Sequence, residues 1–188
     1  MIRRNIGNWQ RDLVVGAIFC AMWVLSGAGL VRADEPYARS KDYDLQHSKI
    51  ALRFQPEQKK VMGDVTHSLA LLRDGLEKIS FDSVGLQIES VHINKSAAKF
   101  AATENKLVVT LPKGAKSGAK YDVEIKYQGT PSKGLYFVLP DKDYPNRPLE
   151  IWSQGESEDT RYYLPTYDYP NDRLTTETIL TVPASWIT

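Results

Sequence analysis

A two-residue rhythm of apolar side chains, recurring along most of the chain, constrains the fold more than any other feature. Tyr121, Val123, Ile125 and Tyr127 alternate with Asp122, Glu124 and Lys126, and Ile50, Leu52 and Phe54 recur at the same spacing. Successive side chains of a strand point to opposite faces, so this pattern buries one face of a sheet and wets the other. After a turn at Gln55-Pro56-Glu57, Val65, Leu69 and Leu71 share one parity against Thr66, Ser68 and Ala70. This predicts a second strand returning antiparallel to the first. Ile79–Phe81 reads as a short strand, and Leu86–Ile88 with Val91–Ile93 as one broken by Glu89-Ser90. Leu107, Val109 and Leu111 alternate again before the turn cluster Pro112–Gly118, and Leu135–Leu139 resumes after Gly129–Gly134. Beyond residue 33, no stretch sustains the i, i+3, i+4 apolar pattern of a helix. The expectation is an all-β domain: an antiparallel β-sandwich or saddle-shaped double sheet, preceded by a signal-peptide helix.

Residues 1–33 read as that signal peptide. Arg3, Arg4 and Arg11 form a basic n-region, Leu13–Leu25 is an uncharged apolar run, and Val31-Arg32-Ala33 offers small residues at a cleavage site. The expectation is export to a periplasmic or extracellular space. The alternative is an uncleaved membrane anchor over residues 13–31, which just reaches the length needed to span a bilayer. Residues 34–42 read as a short polar tail and residues 43–188 as the folded domain. Cys20 is the only cysteine of the 188 residues and lies in the apolar run, so the domain has no disulfide to rely on and must fold on its core. Cleavage after Ala33 would remove four of 24 basic residues and one of 23 acidic ones, leaving a near-neutral domain. No clustered Lys and Arg face marks a nucleic-acid footprint.

Residues 151–170, IWSQGESEDTRYYLPTYDYP, break the rhythm. Irregular backbone rich in Tyr and acids is expected outside the core, where its polar groups find partners, and such loops often carry recognition on a rigid scaffold. Ile151-Trp152-Ser153 reads as a strand running into Gln154 and Glu156. A carboxylate held there suits charge-assisted hydrogen bonds to a cationic ligand. Glu156 beside Glu158 and Asp159 also fits a merely solvated acidic loop. Arg161 and Asp168 read as polar ties for the loop, with Pro165 and Pro170 fixing its path. Tyr162, Tyr163, Tyr167 and Tyr169 offer either a ligand platform or packing against a neighbouring domain, and Trp152 and Trp186 read as core. His47, His67 and His92 sit in strand-like contexts as ordinary residues. None has a second His four residues away and no HExxH is present, so no zinc site is expected in this chain.

The order Ser153-Gln154-Gly155-Glu156, Arg161, Pro165, Asp168, Pro170 resembles the N-terminal domain of M1 zinc aminopeptidases, the family of aminopeptidase N and leukotriene A4 hydrolase. The strands YDLQHSKIALRF, GDVTHSLALL, LQIESVHIN and YDVEIKYQG, and the element Gly134–Phe137, extend the likeness from about residue 43 to the end. The resemblance implies a β-saddle in which Glu156 contacts the free amine of a peptide substrate and Gln154 lines the S1 pocket. It implies zinc and a general base in a following catalytic domain that packs on residues 151–170 and is not found in this sequence. The stop at Ile187-Thr188 then reads as a truncation, and this chain alone is expected to bind no metal and turn over nothing. Two positions depart from the pattern: Thr166 stands where Cys is common, and Gly155, where a side chain is usual, implies a more open S1 floor.

Two other functions remain open at this point. One is a secreted β-sandwich module binding carbohydrate or peptide through its Tyr-rich loop, with Glu156 and Asp159 as polar partners. The other is a purely structural relative that assists assembly of a partner.

Overall fold

The computed structural model describes residue 39 and residues 41–188. The expected signal-peptide helix, its cleavage site and the alternative membrane anchor fall outside the described residues. Among those described, the strands are β1 (Tyr43–Gln55), β2 (Lys60–Leu71), β3 (Lys78–Asp82), β4 (Leu86–Ile93), β5 (Ser96–Ala97) and β6 (Phe100–Ala102). They continue with β7 (Lys106–Thr110), β8 (Lys120–Gly129), β9 (Leu135–Val138), β10 (Glu150–Ser153) and β11 (Thr175–Thr181). Six of them form one sheet in the order β11-β1-β2-β8-β4-β5, three form a second in the order β3-β7-β6, and β9 with β10 forms a hairpin. The expected β architecture stands, with one departure from antiparallel pairing: β11 runs parallel to β1, Ser48 facing Thr176 and Leu52 facing Leu180. The chain reaches β11 only after traversing the domain, and a crossover of that length permits parallel pairing where a tight turn does not.

Two bulges explain where the alternation slips. In β1, Tyr43 and Leu45 are buried on one parity and Ser48 and Leu52 on the other, and the pairing with β2 shifts register between Leu45 and His47. Glu89-Ser90 does not break the fourth strand; β4 is continuous, with a register shift against β8 between Ile88 and Ser90. One inserted residue moves the apolar set to the opposite parity while keeping it on the core face. The short strands β5 and β6 carry exposed side chains and so left no alternating signal to read.

The core lies between the two larger sheets. Leu45, Val65, Leu69, Val123 and Ile125 meet Ile79, Phe81, Leu107 and Val109, all with at most 1 % of their surface exposed. Gly63 faces Tyr127 across β2 and β8, and the Tyr127 ring lies where a Cβ on Gly63 would be, 2.2 Å from its Cζ. A smaller cluster of Leu52, Val61 and Leu135, joined by Phe137 and Ile151, seats the β9–β10 hairpin against the far ends of β1 and β2. That hairpin and the loop after it hold the residues singled out in the sequence.

Candidate functional site

Hairpin register sorts the side chains at the start of the loop. Ile151 opposes Phe137 and faces the smaller core cluster, whereas Trp152 opposes Tyr136. Trp152 is therefore not a core residue as expected: it is 49 % exposed and stacks on Tyr136 at 4.3 Å between ring centroids. Period-2 geometry gives alternate residues to opposite faces, and the inner face was already taken by Ile151. Trp186 is half-buried and lines a groove of about 750 Å³ with Leu52, Phe54, Trp152 and Leu180.

The Gln154 amide donates to Gly134 O at 2.9 Å, extending the ladder one residue and keeping Gln154 on the Trp152 face. Gly134 has φ +76°, and a Cβ there would meet the Asp159 carbonyl oxygen at 2.0 Å, so the loop folds back directly over this glycine. The Glu156 amide donates to Gln154 Oε1 at 3.3 Å. Both side chains are exposed, and among the described residues no cation pairs with Glu156. At Gly155, Thr160 Oγ1 stands 2.4 Å from where a Cβ would be, so within this loop the glycine leaves room for the Thr160 hydroxyl.

Beyond the short 3₁₀ turn Thr160–Tyr162 the loop turns inward, contrary to expectation: Leu164 through Asp168 are buried. Their polar groups find partners inside the domain, which removes the objection to irregular backbone in a core. Thr166 pairs with Asp82 through both backbone bonds, at 2.6 and 3.0 Å. Pro165 O accepts from His67 Nε2 at 2.7 Å, which fixes the proton on that nitrogen and leaves Nδ1 to accept from Ser48 Oγ, also at 2.7 Å. His67 is fully buried on the apolar parity of β2 and stacks on Phe81. Burial, opposed only in part by the Pro165 bond, lowers its pKa from 6.5 to about 4.

Asp82 is the hub of the clamp. Its carboxylate takes Arg39 at 2.7 Å, Lys106, and the Asp168 amide at 3.0 Å. Burial raises its pKa, but the bonds from Arg39, Lys106 and Asp168 outweigh this and hold it below the ordinary carboxylate value. The Asp168 carboxylate in turn accepts from the Arg161 amide at 2.9 Å and from Arg161 Nε at 3.1 Å. Arg161 Nη2 reaches Asp168 O at 2.8 Å and pairs with Glu158. Arg161 and Asp168 thus bond one part of the loop to another. Pro165 is buried and its carbonyl accepts from His67, while Pro170 is exposed.

Neither proposal for the tyrosines holds for Tyr167, which is buried edge-on to Tyr43 beneath the Arg39 guanidinium. Tyr163 and Tyr169 also pack against the domain's own core. The surface left open to a partner in this segment is its first half, because the domain's sheets cover residues 164–168. Asp82, Arg39 and Lys106 were missed by sequence reasoning, since no local pattern marks them. The burial of His67 was not read either, although its step with Val65 and Leu69 is a signal that could have found it.

Among the described residues, no three or more His, Cys, Asp or Glu side chains are placed to hold a metal ion. His67 has both nitrogens engaged and His47 Nδ1 is bonded to Thr175, so the described donors do not fit a zinc centre. No helix among the described residues is long and apolar enough to cross a membrane.

Residues 40–187 match the family model of the peptidase M1 N-terminal domain. The chain belongs to this family. Among solved structures, the M1 N-terminal domain described here is similar to the M1 zinc metallopeptidase of Deinococcus radiodurans. The two are 30 % identical with a TM-score of 0.65, over 80 % of this chain and 35 % of that one. A variant of the Deinococcus enzyme bound to a Tyr-Ser-Ala substrate gives 30 % identity, a TM-score of 0.64 and the same coverage. Leukotriene A4 hydrolase from Saccharomyces cerevisiae shares the fold at 20 % identity and a TM-score of 0.61, over 80 % of this chain and 26 % of that one. The chain thus spans about a third of the Deinococcus enzyme it matches.

Proposed function

We propose that this chain is the N-terminal substrate-recognition and scaffold domain of an exported M1-like zinc aminopeptidase, a protein that removes N-terminal residues from peptides. The observation that carries the reading is the exposed Gln154–Glu156 pair, held at the end of a hairpin whose inner face is packed and whose loop is clamped from two sheets. A peptide's protonated α-amine needs a carboxylate at a fixed place, and an ion pair gains most when one partner is already immobile. Glu156 accepts hydrogen bonds from that ammonium, and Gln154, on the Trp152 face, borders the first side chain of the peptide. A catalytic domain covering residues 151–160 would exclude water and strengthen the pair. Zinc supplies the hydrolytic chemistry in such a parent, from ligands outside this domain. This chain alone then turns over no peptide.

The test is Glu156→Ala in the complete enzyme. The expected result is a rise of about 10- to 100-fold in KM for peptides with a free N-terminus, the scale of a charge-assisted hydrogen bond. An unchanged KM refutes the assignment, and peptidase activity from the pure 188-residue chain refutes its inactivity. The exposed Tyr136–Trp152 stack favours a second reading, a binding module for carbohydrate or peptide. Retention of this chain on a polysaccharide or peptide resin would support it.

A further inference from the structure

The exposed loop that carries Glu156 is connected to one buried carboxylate by an unbroken series of polar contacts. Asp82 sits at the end of β3 with its side chain 1 % exposed, next in sequence to the buried Phe81. It binds the Asp168 amide; Asp168 binds the Arg161 amide and guanidinium; Arg161 pairs with Glu158; and Glu158 is two residues from Glu156. The Arg161 carbonyl is also held, accepting from the Val84 amide at 2.9 Å, so the segment just after β3 grips the same arginine from its backbone side.

Such a path has a physical reason. A loop bonded only to itself and to water fluctuates, and ordering it on binding weakens affinity. A buried carboxylate satisfied by two cations and a backbone amide has one arrangement of its partners, because leaving any of them unpaired in a dry site is unfavourable. Arg161 transmits that fixity, since its planar fork holds two directions at once, toward Asp168 and toward Glu158. Arg39 and Lys106 come from the segment before β1 and from β7, so the hub also locks the loop to the small sheet and the chain leading into the large one.

We infer that Asp82, through Asp168, Arg161 and Glu158, is a positioning residue that fixes the place of Glu156 for the substrate amine. The inference rests on the reading of Glu156 given above. It assigns to a residue on β3, far from the loop in sequence, a share of substrate affinity that requires no contact with substrate.

The experiment measures two quantities on Asp82→Asn, Asp82→Glu and Glu158→Gln. The first is amide hydrogen exchange across residues 156–168 in the full 188-residue chain. The second is kcat and KM for a free-amine peptide in the complete enzyme, with Glu156→Ala as reference. The expected result for Asp82→Asn is loop exchange faster by about tenfold and a KM raised by about 5- to 20-fold with kcat little changed, the signature of lost ground-state positioning. Glu158→Gln, which removes only a partly exposed end of the path, should reproduce the KM effect without lowering the melting temperature. Asp82→Glu, which keeps the charge, should recover part of it. If Asp82→Asn does not fold, Glu158→Gln decides alone. A raised KM in Glu156→Ala with unchanged KM and exchange in Glu158→Gln and Asp82→Asn overturns the positioning role and leaves the role of Glu156 intact. An unchanged KM in Glu156→Ala overturns both.

Discussion

The buried His67 predicts a specific loss of stability in acid. In the folded chain its pKa is about 4, against 6.5 when solvated, so between those values the unfolded chain takes up a proton that the native state refuses. A group whose pKa is depressed on folding stabilises fully above its unfolded value, and that stabilisation is lost as pH falls toward the folded one. The window is therefore pH 6.5 down to about 4. A displacement of this size corresponds to about 3 kcal/mol at the lower end, with each pKa unit equivalent to about 1.4 kcal/mol. For a domain of this length that lowers the melting temperature by roughly 6–12 °C. Asp82, also depressed, acts in a different range, because its contribution is lost only as pH falls below the ordinary carboxylate value of 3.8. The assay is urea or thermal unfolding of the chain at half-unit steps from pH 7.5 to 4, beside His67→Gln. Gln can still donate toward Pro165 but does not titrate. The wild type should lose about 3 kcal/mol across the window and the variant should be flatter by that amount. Parallel profiles for the two proteins would refute the argument, whatever their absolute stabilities.

Two further perturbations probe the packing around the site. Gly134→Ala should destabilise by about 2–4 kcal/mol, since the added Cβ is both left-handed and directed at the Asp159 carbonyl, and backbone cannot yield as a side chain does. A urea midpoint within error of wild type would show that the loop does not rest on this glycine. Among the described residues the buried Tyr127 hydroxyl finds no hydrogen-bond partner, and burial pushes its pKa up. Tyr127→Phe removes an unsatisfied group, so its stability should fall within about 1 kcal/mol of wild type or exceed it. A loss above about 2 kcal/mol in chemical denaturation would mean the hydroxyl is bonded in solution.

The alternation of Tyr121–Tyr127, of Ile50–Phe54 and of Val65–Leu71 was enough to place β8, β1 and β2 and to assign the β class, because burial of one sheet face is written in side-chain parity. His67 shares the parity of Val65 and Leu69, a signal of burial that its reading as an ordinary strand residue did not use. The order from Ser153 to Pro170 carried the family, and with it the pair Gln154 and Glu156. What parity could not report is where one residue is added: the bulge at Gln46 left no mark, the one at Glu89 read as a break in the strand, and the parallel entry of β11 beside β1 left no trace. The direction of the loop was equally out of reach. Whether Leu164 to Asp168 lies in water or in the core depends on partners from elsewhere in the chain, namely His67 on β2 and Asp82 on β3. The sequence determined the strands that bury one face and which residues carry charge into the loop, because those are local properties. Tertiary structure alone decided that the irregular segment is buried and fixed, because hydrogen bonds between distant residues have no local signature.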